Sequence, residues 1–291
     1  MKKVLMQIWQ YKTLVCSKFL DALGLIMLIW SVAAILVSED CLSPSLRLSI
    51  ISLILVLCMG CALYNLFKKP AKLELEINKR TKLTIKRGDM FKASENAACV
   101  IPVNEYFDTH LGDGIIQPNS VHGIFLKMYK DRIPELRTTI DKQLKEKQAL
   151  PKNRTRNMVA GLPQKRYPLG TCVRFMDGNR IFILVAVTRF NKDEHVDVSS
   201  EEYPEVIRKM YNGIENLHDG NAVYMPLVGG GISGYQLEKM QLLMSMVQAA
   251  HNANTLTIIN GLNICIYKEE EWQALNLNVI EYLYDRWKTL K

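Results

Sequence analysis

The chain has 291 residues with 37 basic and 29 acidic side chains, which gives a formal net charge of +8. Hydrophobic residues make up 48% of it and charged residues 23%, so the composition excludes a disordered protein and predicts one or two folded domains. Its seven cysteines are an odd number and lie far apart, which argues against a disulfide framework.

Two long apolar segments lie near the start of the chain. The first covers residues 19–37 with a single charge at Asp21, and the second covers residues 48–67 without charge. Either segment, as a helix rising about 1.5 Å per residue, spans the roughly 30 Å hydrocarbon core of a bilayer. The sequence therefore predicts a transmembrane helical hairpin over residues 19–67. A cleaved signal peptide is the alternative for the first segment, but its apolar run is longer than a signal core.

Basic residues flank this hairpin on both sides. The lysines before the first span and after the second are Lys2, Lys3, Lys12, Lys18, Lys68, Lys69 and Lys72. The loop between the spans contains only Arg47, so both termini are predicted to be cytoplasmic, with the hairpin in the cell inner membrane. Residues 1–18 are predicted to be an interfacial helix or a loose tail. Neither span has an ionisable residue at its centre, so any pore would need several chains.

Residues 73–291 have the composition of a soluble domain, in which short apolar segments alternate with longer amphipathic ones. The predicted strands are 73–77, 82–88, 98–103, 171–175, 180–190, 222–227, 256–260 and 263–267. The predicted helices are 121–148 (one or two), 200–217, 235–252 and 270–288. Asp177-Gly178 between two strands indicates a hairpin. This alternation predicts an α/β fold with a mixed sheet flanked by helices.

Residues 127–166 contain many more basic than acidic side chains. Three interpretations remain open for this stretch: a solvated helix face and loop, a surface for anionic lipid or nucleic acid, and the rim of a site for a phosphorylated ligand. No aromatic residues interleave with the basic ones as stacking platforms for bases would.

The segment after the strand at 222–227 contains the strongest indication of a ligand. The glycines that follow Leu227 are Gly229, Gly230, Gly231 and Gly234. Glycines allow backbone N–H groups to surround phosphate oxygens, and a helix predicted from Tyr235 would add a favourable dipole. A P-loop NTPase is disfavoured because tyrosine, not lysine, follows the last glycine. The loop predicts a diphosphate site, with a bare tight turn as the alternative.

Two earlier predicted strands are also followed by residues that could contact a ligand. Gly88-Asp89 follows the strand at 82–88, and Asn104 follows the strand at 98–103. With the late glycine loop, these segments resemble the macrodomain family, in which they line an ADP-ribose cleft. VIPVNEYFDT, VHGIF and PLVGGGISG narrow this resemblance to the effectors of the Thoeris anti-phage system, in the variant with an N-terminal transmembrane hairpin.

The resemblance implies roles for individual residues. Asp89 matches the aspartate that accepts a hydrogen bond from the adenine amino group, for which an ionised carboxylate is suited; a turn-forming Gly-Asp is the alternative. Asn104 matches the asparagine near the distal ribose, or else its amide caps the next turn. The residues that match the phosphate loop are Gly229, Gly230, Gly231, Ile232, Ser233 and Gly234.

The sequence departs from the family pattern directly after Asn104. Many macrodomains have a second asparagine there, whereas this chain has Glu105-Tyr106-Phe107-Asp108-Thr109. The usual hydrolytic arrangement is therefore in doubt. Glu105 and Asp108 are predicted to pair with an ammonium or imidazolium group of the ligand, such as a histidine moiety. Ordinary surface carboxylates are the alternative.

The histidines form no metal-ligand spacing and no nucleophile triad, so the sequence assigns no catalytic residue, no metal and no cofactor. The resemblance implies that a TIR-domain enzyme consumes NAD and makes an ADP-ribose-derived signal, histidine conjugated to ADP-ribose. This chain would bind the signal, form homo-oligomers and injure the lipid bilayer, without a nucleic-acid partner. The alternatives are a membrane-tethered ADP-ribosyl hydrolase or ADP-ribose reader and, third, a membrane-held nucleic-acid binder.

Overall fold

The computed structural model describes residues 11–36, 43–68, 70–111, 115–150, 162–191, 195–231, 234–253 and 255–289. The contacts between residues divide the chain into two compact units. One unit comprises residues 1–70 and 276–291, and the other comprises residues 71–275. The predicted domain limits at residues 18, 67 and 73 stay a prediction, since the structure contains no bilayer against which to set them.

Two long helices begin the first unit. Helix α1 comprises Lys12–Leu36 and helix α2 comprises Pro44–Phe67. Ser43 caps α2 by accepting a hydrogen bond from the Leu46 N–H at 3.4 Å, and Pro44 occupies the first helical position, where a missing N–H costs nothing. Each helix begins several residues before the apolar segment predicted for it, which starts at residue 19 for α1 and at residue 48 for α2.

The two helices are apolar enough and long enough to cross a membrane. Lys12–Ser31 has a mean hydropathy of 1.7 and Ser45–Asn65 one of 2.4. Cys58 and Ala62, one turn apart on α2, are fully buried, so small side chains lie where helices of this unit meet. Leu25 and Leu53, in contrast, are 62% and 58% exposed. The unit thus presents large aliphatic side chains on its outside, as a membrane hairpin does.

The second unit is a seven-stranded sheet with helices. Its elements are β1 (Lys72–Asn78), β2 (Thr81–Arg87), β3 (Ala97–Asn104), α3 (Val121–Met128), α4 (Ile133–Leu144), β4 (Cys172–Asp177), β5 (Arg180–Thr188), α5 (Tyr203–Glu215), β6 (Ala222–Pro226), α6 (Lys239–Asn252), β7 (Leu262–Ile266) and α7 (Glu269–Ala274). The strand order is β1-β2-β7-β6-β3-β5-β4. The five central strands pair in parallel, and β1 and β4 pair antiparallel at the edges. The predicted mixed α/β fold is therefore confirmed.

Strand burial follows position in the sheet. β1 alternates exposed and buried residues along its length, as an edge strand with one face on the core does. β7 is buried at every residue, and β5 at all but its first, because helices cover both faces of the central sheet. The parallel arrangement brings the carboxyl ends of β2, β3, β5, β6 and β7 to one edge, where ligands of open α/β sheets bind.

The last helix, α8 (Leu277–Thr289), belongs to the first unit. The side-chain amide of Asn278 donates hydrogen bonds to the backbone oxygens of Asn65 at 2.6 Å and Lys68 at 2.7 Å. Carbonyls at the C-terminus of a helix have no partner within the helix. Asn278 therefore satisfies the end of α2.

The predicted strand at 256–260 is wrong. Hydrogen bonds to the side chain of Thr81 take the place of strand pairing in this segment. The Thr81 hydroxyl donates to the Leu256 carbonyl at 2.9 Å and accepts from the Ile258 N–H at 2.9 Å. The Asn78 amide donates to the same carbonyl at 2.8 Å. Since these side chains already satisfy the backbone, the apolar segment packs against the sheet without joining it.

Candidate ligand-binding cleft

A cleft of about 410 Å³ lies at the carboxyl edge of the sheet. Six separate parts of the chain line it: the turn after β2, the end of β3, the segment that leads into the first turn of α3, the segment after β5, the loop after β6 and the segment after β7. Pockets for small ligands have volumes of about 300–1,000 Å³. All six parts belong to the second unit, so the described residues of this unit form a cavity within that size range.

A tight turn begins the loop after β6. The Gly230 N–H donates to the Leu227 carbonyl at 3.2 Å, and Gly229 has a φ of +79°. A four-residue turn with a positive φ at its third position requires glycine there. The N–H of Gly230 therefore closes this turn, and the predicted contact of Gly230 with a diphosphate stays a prediction.

Two buried tyrosines fix the position of this turn. The Tyr203 hydroxyl donates to the Val228 carbonyl at 2.8 Å, and the Tyr235 hydroxyl donates to the Val187 carbonyl at 2.9 Å. Their rings meet edge to face with centroids 4.8 Å apart. A Cβ at Gly229 would lie 3.1 Å from atoms of both rings. Burial raises the pKa of both phenols, so they remain donors, and Tyr235 is an anchor of the loop.

The amides of Gly229 and Gly231 remain for a ligand. Neither N–H donates to any group in the part of the chain that the structure describes, and both residues line the cleft. A Cβ built at Gly231 would have no atom within 4 Å, so the space beside it is open. Two backbone donors in one loop are suited to an oxyanion such as a phosphate.

The predicted helix start at Tyr235 is also wrong. Helix α6 begins at Lys239 behind the cap residue Glu238, because Tyr235 turns inward to its hydrogen bond with Val187. Helix α3 has its N-terminus in the cleft wall. The Ser120 hydroxyl caps it by accepting the Gly123 N–H at 3.0 Å, and Ser120 and Val121 lie in the wall of the cleft. Its dipole favours a negative charge in the cavity.

Asp89 lies in the cleft wall and also holds the turn after β2. One carboxylate oxygen accepts the Phe91 N–H at 2.9 Å, and the side chain is half-buried. Arg180 fixes the same turn by donating to the carbonyls of Phe91 and Ala93 at 2.7 and 2.9 Å. The two readings of Asp89 are therefore compatible, because one oxygen forms the turn while the other has no protein partner within the described residues.

Asn104 also lines the cleft, but the following turn occupies its amide. Its nitrogen donates to the Asp108 carboxylate at 2.9 Å, and its oxygen accepts the Tyr106 N–H at 3.1 Å. Phe107 in this turn has a φ of 54°. The geometry is that of the capping alternative, and a contact between Asn104 and a ribose stays a prediction.

Glu105 and Asp108 do not lie among the residues that line the cleft. Glu105 is 0% exposed and forms an ion pair with the buried Arg166 at 3.6 Å; it also accepts the Phe190 N–H at 3.3 Å. Asp108 is 1% exposed and accepts from Asn104. Both carboxylates therefore serve protein partners, and neither is a surface carboxylate. Their contact with a ligand cation remains a prediction.

The last three residues of the predicted phosphate loop are not among the described residues that line the cleft. Gly234 has a φ of +78°, and a Cβ there would collide with the Val196 side chain, so glycine is needed for this close approach. Gly234 lies outside the cleft lining. Ile232 and Ser233 lie outside the described residues, and their predicted role is not addressed by the geometry.

The sequence prediction missed several polar residues of the cleft wall, and His122 is the most deeply buried histidine among them. His122 follows Val121 at the start of α3 and is 6% exposed. Burial lowers the pKa of its ring to about 4, opposed by a hydrogen bond with the backbone of Asp108. The sequence contains one indication of this position, because the segment VHGIF directly follows a helix-capping serine.

Solved structures identify the fold. The chain has the fold of a macrodomain: the Oceanobacillus iheyensis macrodomain with MES bound matches with a TM-score of 0.51 and 13% identity, over 74% of this chain and 98% of that chain. The class that this likeness defines is a class of fold.

Sequence comparison identifies the family. The profile of the family described as Thoeris protein ThsA, Macro domain, matches residues 83–267. A Thoeris protein ThsA of Bacillus amyloliquefaciens (strain Y2) is 28% identical over 230 residues, which are 77% of this chain and 75% of the relative. The chain belongs to the ThsA family, and the resemblance found in the sequence is confirmed.

Proposed function

We propose that this chain is a membrane effector of bacterial anti-phage defence. Its macrodomain senses an ADP-ribose-derived signal, histidine conjugated to ADP-ribose, that a TIR-domain enzyme makes from NAD. Binding of the signal drives assembly of several chains, which disrupts the inner membrane and ends in abortive infection. Membership of the Thoeris ThsA family supports the role in defence.

The observation that carries the ligand class is the pairing of donors and acceptor in one cleft. Gly229 and Gly231 offer amide hydrogens, and Asp89 offers a carboxylate oxygen. A nucleoside diphosphate has the complementary groups, because its phosphates only accept hydrogen bonds and the adenine amino group donates them. The dipole of α3 adds attraction for the diphosphate.

The hairpin supports a location in the bilayer. Its exposed leucines, with Leu25 and Leu53 as examples, would form a large apolar surface in water, and such surfaces mark contact with a membrane or a partner. The lysines on both flanks support a cytoplasmic position of the two termini. The macrodomain then lies in the compartment where NAD is consumed.

The switch requires that the ligand bind the assembled state more tightly than the resting one. Moving such an equilibrium from 1:99 to 99:1 takes about 5.5 kcal/mol of differential affinity. Several subunits share this difference, so each needs to contribute only a part. Because the spans have no central charge, damage arises from gathering hairpins of many chains and not from a path through one chain.

Calorimetry on the full chain in detergent tests the ligand. We expect binding of histidine-conjugated ADP-ribose and of ADP-ribose, and no binding of a single-stranded oligonucleotide. A chain that bound only the oligonucleotide would contradict the proposal. Release of free ADP-ribose from an ADP-ribosylated peptide would instead favour the tethered hydrolase.

Liposomes test the switch. Vesicles that contain the purified protein and a trapped dye should leak when histidine-conjugated ADP-ribose is added and should stay intact without it. Equal leakage in both samples would remove the gating by ligand, whereas binding without any leakage would leave only a membrane-tethered reader.

A further inference from the structure

Two short connections join the second unit to the first. One comprises the residues between α2 and β1, and the other comprises Leu275 and Asn276, which lie between α7 and α8. Every covalent path from the cleft to the two apolar helices passes through one of these connections. The residues that fix the connections in position can therefore determine whether a change at the cleft reaches the hairpin.

The side chain of Asn278 ties the two connections together. It lies in the first turn of α8, and its amide nitrogen donates to the Asn65 carbonyl at 2.6 Å and to the Lys68 carbonyl at 2.7 Å. An amide nitrogen has two hydrogens, so one side chain serves both carbonyls. The start of α8 is thereby joined to the end of α2, from which the other connection begins.

Helix α8 is itself held firmly at this end. The side-chain oxygen of Asn276 accepts the Val279 N–H at 3.3 Å, which caps the first turn. Leu277 and Ile280 are each 1% exposed, so the first turn is also fixed by packing. A displacement of this turn therefore displaces Asn278 with it, and through Asn278 the end of α2.

The connection into α8 begins at the wall of the cleft. Lys268 and Glu271 line the cavity, and Glu271 belongs to α7, which only two residues separate from α8. Glu271 also accepts from the Lys239 ammonium at 3.0 Å, so α7 is tied to the start of α6. A ligand that displaces this wall therefore displaces the segment that leads into α8.

We propose that Asn278 links occupation of the cleft to the hairpin, because its two hydrogen bonds transmit a displacement of the segment after β7 to the end of α2. This inference rests on the proposed function, since it takes the same ligand in the cleft and the same effect on the bilayer. Asn278 is a positioning residue, because it is not among the described residues that line the cleft. Its contact supplies part of the coupling free energy between the two sites.

Two substitutions remove this contact in different ways. The carboxylate of Asn278→Asp has the shape of the amide but no hydrogens, so both bonds are lost. Asn278→Ala removes the donor without adding a charge. Asn216→Asp is the matched control, because the Asn216 amide donates to the Asn212 carbonyl at 2.8 Å at the end of α5. It loses the same kind of bond within the second unit, away from both connections.

Leakage and binding are measured on the full chain. Liposomes with a trapped dye are titrated with histidine-conjugated ADP-ribose, calorimetry in dilute detergent gives Kd, and thermal melting compares the folding of the variants. We expect both substitutions of Asn278 to keep the wild-type Kd and to lower leakage at saturating ligand by about fivefold or more. Asn216→Asp should bind and leak like the wild type.

Hydrogen exchange provides a second measurement that does not depend on leakage. In the wild type, the ligand should change the exchange of the last turn of α2, where the Lys68 N–H donates to the Tyr64 carbonyl at 2.7 Å. In Asn278→Ala this change should disappear, while the glycine loop of the cleft still responds.

The outcomes separate this link from the proposed function. Wild-type leakage in both variants of Asn278, leakage without ligand, or a response of α2 that persists in Asn278→Ala would overturn the link and leave the proposed function standing. A parallel loss of ligand affinity would overturn it too, since Asn278 would then act on the cleft itself. If the wild-type chain binds no nucleotide, the proposed function fails and the link fails with it.

Discussion

At the scale of single residues, the positions of the glycine loop differ in whether they can accept a side chain. Gly229 has a positive φ and three side chains around it, whereas Gly231 has open space and no such constraint. Substitution of Gly229 therefore disturbs the fold, and substitution of Gly231 changes only what the cleft can hold. Gly231 is for this reason the sharper probe of phosphate binding.

We predict that Gly231→Glu abolishes binding of ADP-ribose without unfolding the protein, because the added carboxylate enters the space of the phosphates and repels them. Gly231→Ala keeps the backbone amide and adds only a methyl group, so its affinity should stay close to that of the wild type. Calorimetry measures the affinities and circular dichroism the melting. Asn212→Glu, on the exposed side of α5, controls for the added charge, and retained affinity in Gly231→Glu would move the site elsewhere.

A second residue-scale prediction concerns Asp89. In Asp89→Asn, the side-chain oxygen still accepts the Phe91 N–H, but the other terminal atom becomes a donor that faces the donating adenine amino group. Bonds to charged groups contribute about 1.5–3 kcal/mol, so ADP-ribose affinity should fall at least tenfold. Inosine diphosphate ribose, whose base lacks the amino group, should lose far less. Equal losses for the two nucleotides in calorimetry would argue against this role.

The burial of His122 should make the free energy of unfolding depend on pH. Its pKa in the folded protein is about 4, against an ordinary 6.5. Because the unfolded chain takes up the proton first, the stability is fully present above pH 6.5 and is lost as the pH falls towards 4. The loss amounts to about 3 kcal/mol at 1.36 kcal/mol per pKa unit. Urea unfolding should show this difference between wild type and His122→Asn, and parallel pH profiles would contradict it.

At the scale of elements, Glu105 joins three segments near the end of β3. Its backbone N–H donates to the Thr188 carbonyl at 2.8 Å, and its own carbonyl accepts the Tyr167 N–H at 3.0 Å. Its carboxylate pairs with Arg166. The end of β3, the end of β5 and the segment before β4 are thus fixed together next to the cleft.

We predict that Glu105→Ala lowers the free energy of unfolding by about 3 kcal/mol, since removing one partner leaves the other charge buried. Glu205→Ala is the matched control, because Glu205 pairs with Arg208 on the exposed face of α5 and exposed pairs contribute little. Urea unfolding followed by fluorescence measures both. Similar effects of the two substitutions would show that the buried pair has no special weight.

The elements were predictable to the extent that their signals are local. The alternation of β1 and the Asp177-Gly178 turn, in which Gly178 has a φ of 58°, are properties of a few adjacent residues. Residues 256–260 have the same apolar pattern as a strand, but the hydroxyl of Thr81 decides their structure. No local pattern reveals a partner so distant in the chain.

The same limit applies to the candidate site. The glycines were singled out because several glycines after a strand allow backbone N–H groups to surround a phosphate, and Asp89 and Asn104 because their segments resemble those of the macrodomain family. Glu105 was assigned to the ligand because it stands where many macrodomains have a second asparagine, yet the structure buries it in an ion pair with Arg166. His122 was passed over because no local pattern shows that it is buried in the cleft wall.

At the scale of the whole molecule, the proposed function couples two parts of different chemistry. In this proposal the macrodomain recognises the signal and the hairpin acts on the bilayer. Damage to the hairpin should therefore leave recognition intact, and damage to the cleft should leave insertion intact. The two activities can be separated by substitution.

We predict that Leu53→Arg prevents leakage of liposomes while ADP-ribose affinity stays at the wild-type value. Leu53 lies in the middle of α2 and is 58% exposed, and an arginine at the centre of a span costs about 2.5–3.5 kcal/mol of insertion. Leu53→Ile keeps the side chain apolar and should leak like the wild type. Normal leakage by Leu53→Arg would show that this helix does not cross the bilayer.

The cleft is assembled from six distant parts of the chain, so the melting temperature of the protein should report whether a ligand is bound. An unfolded chain has no such cavity, so a nucleotide binds only the native form and raises the free energy of unfolding by mass action. At a hundredfold excess over Kd the gain is about 2.7 kcal/mol. A dye-based melting screen of candidate nucleotides would therefore rank them by affinity without any label on the messenger.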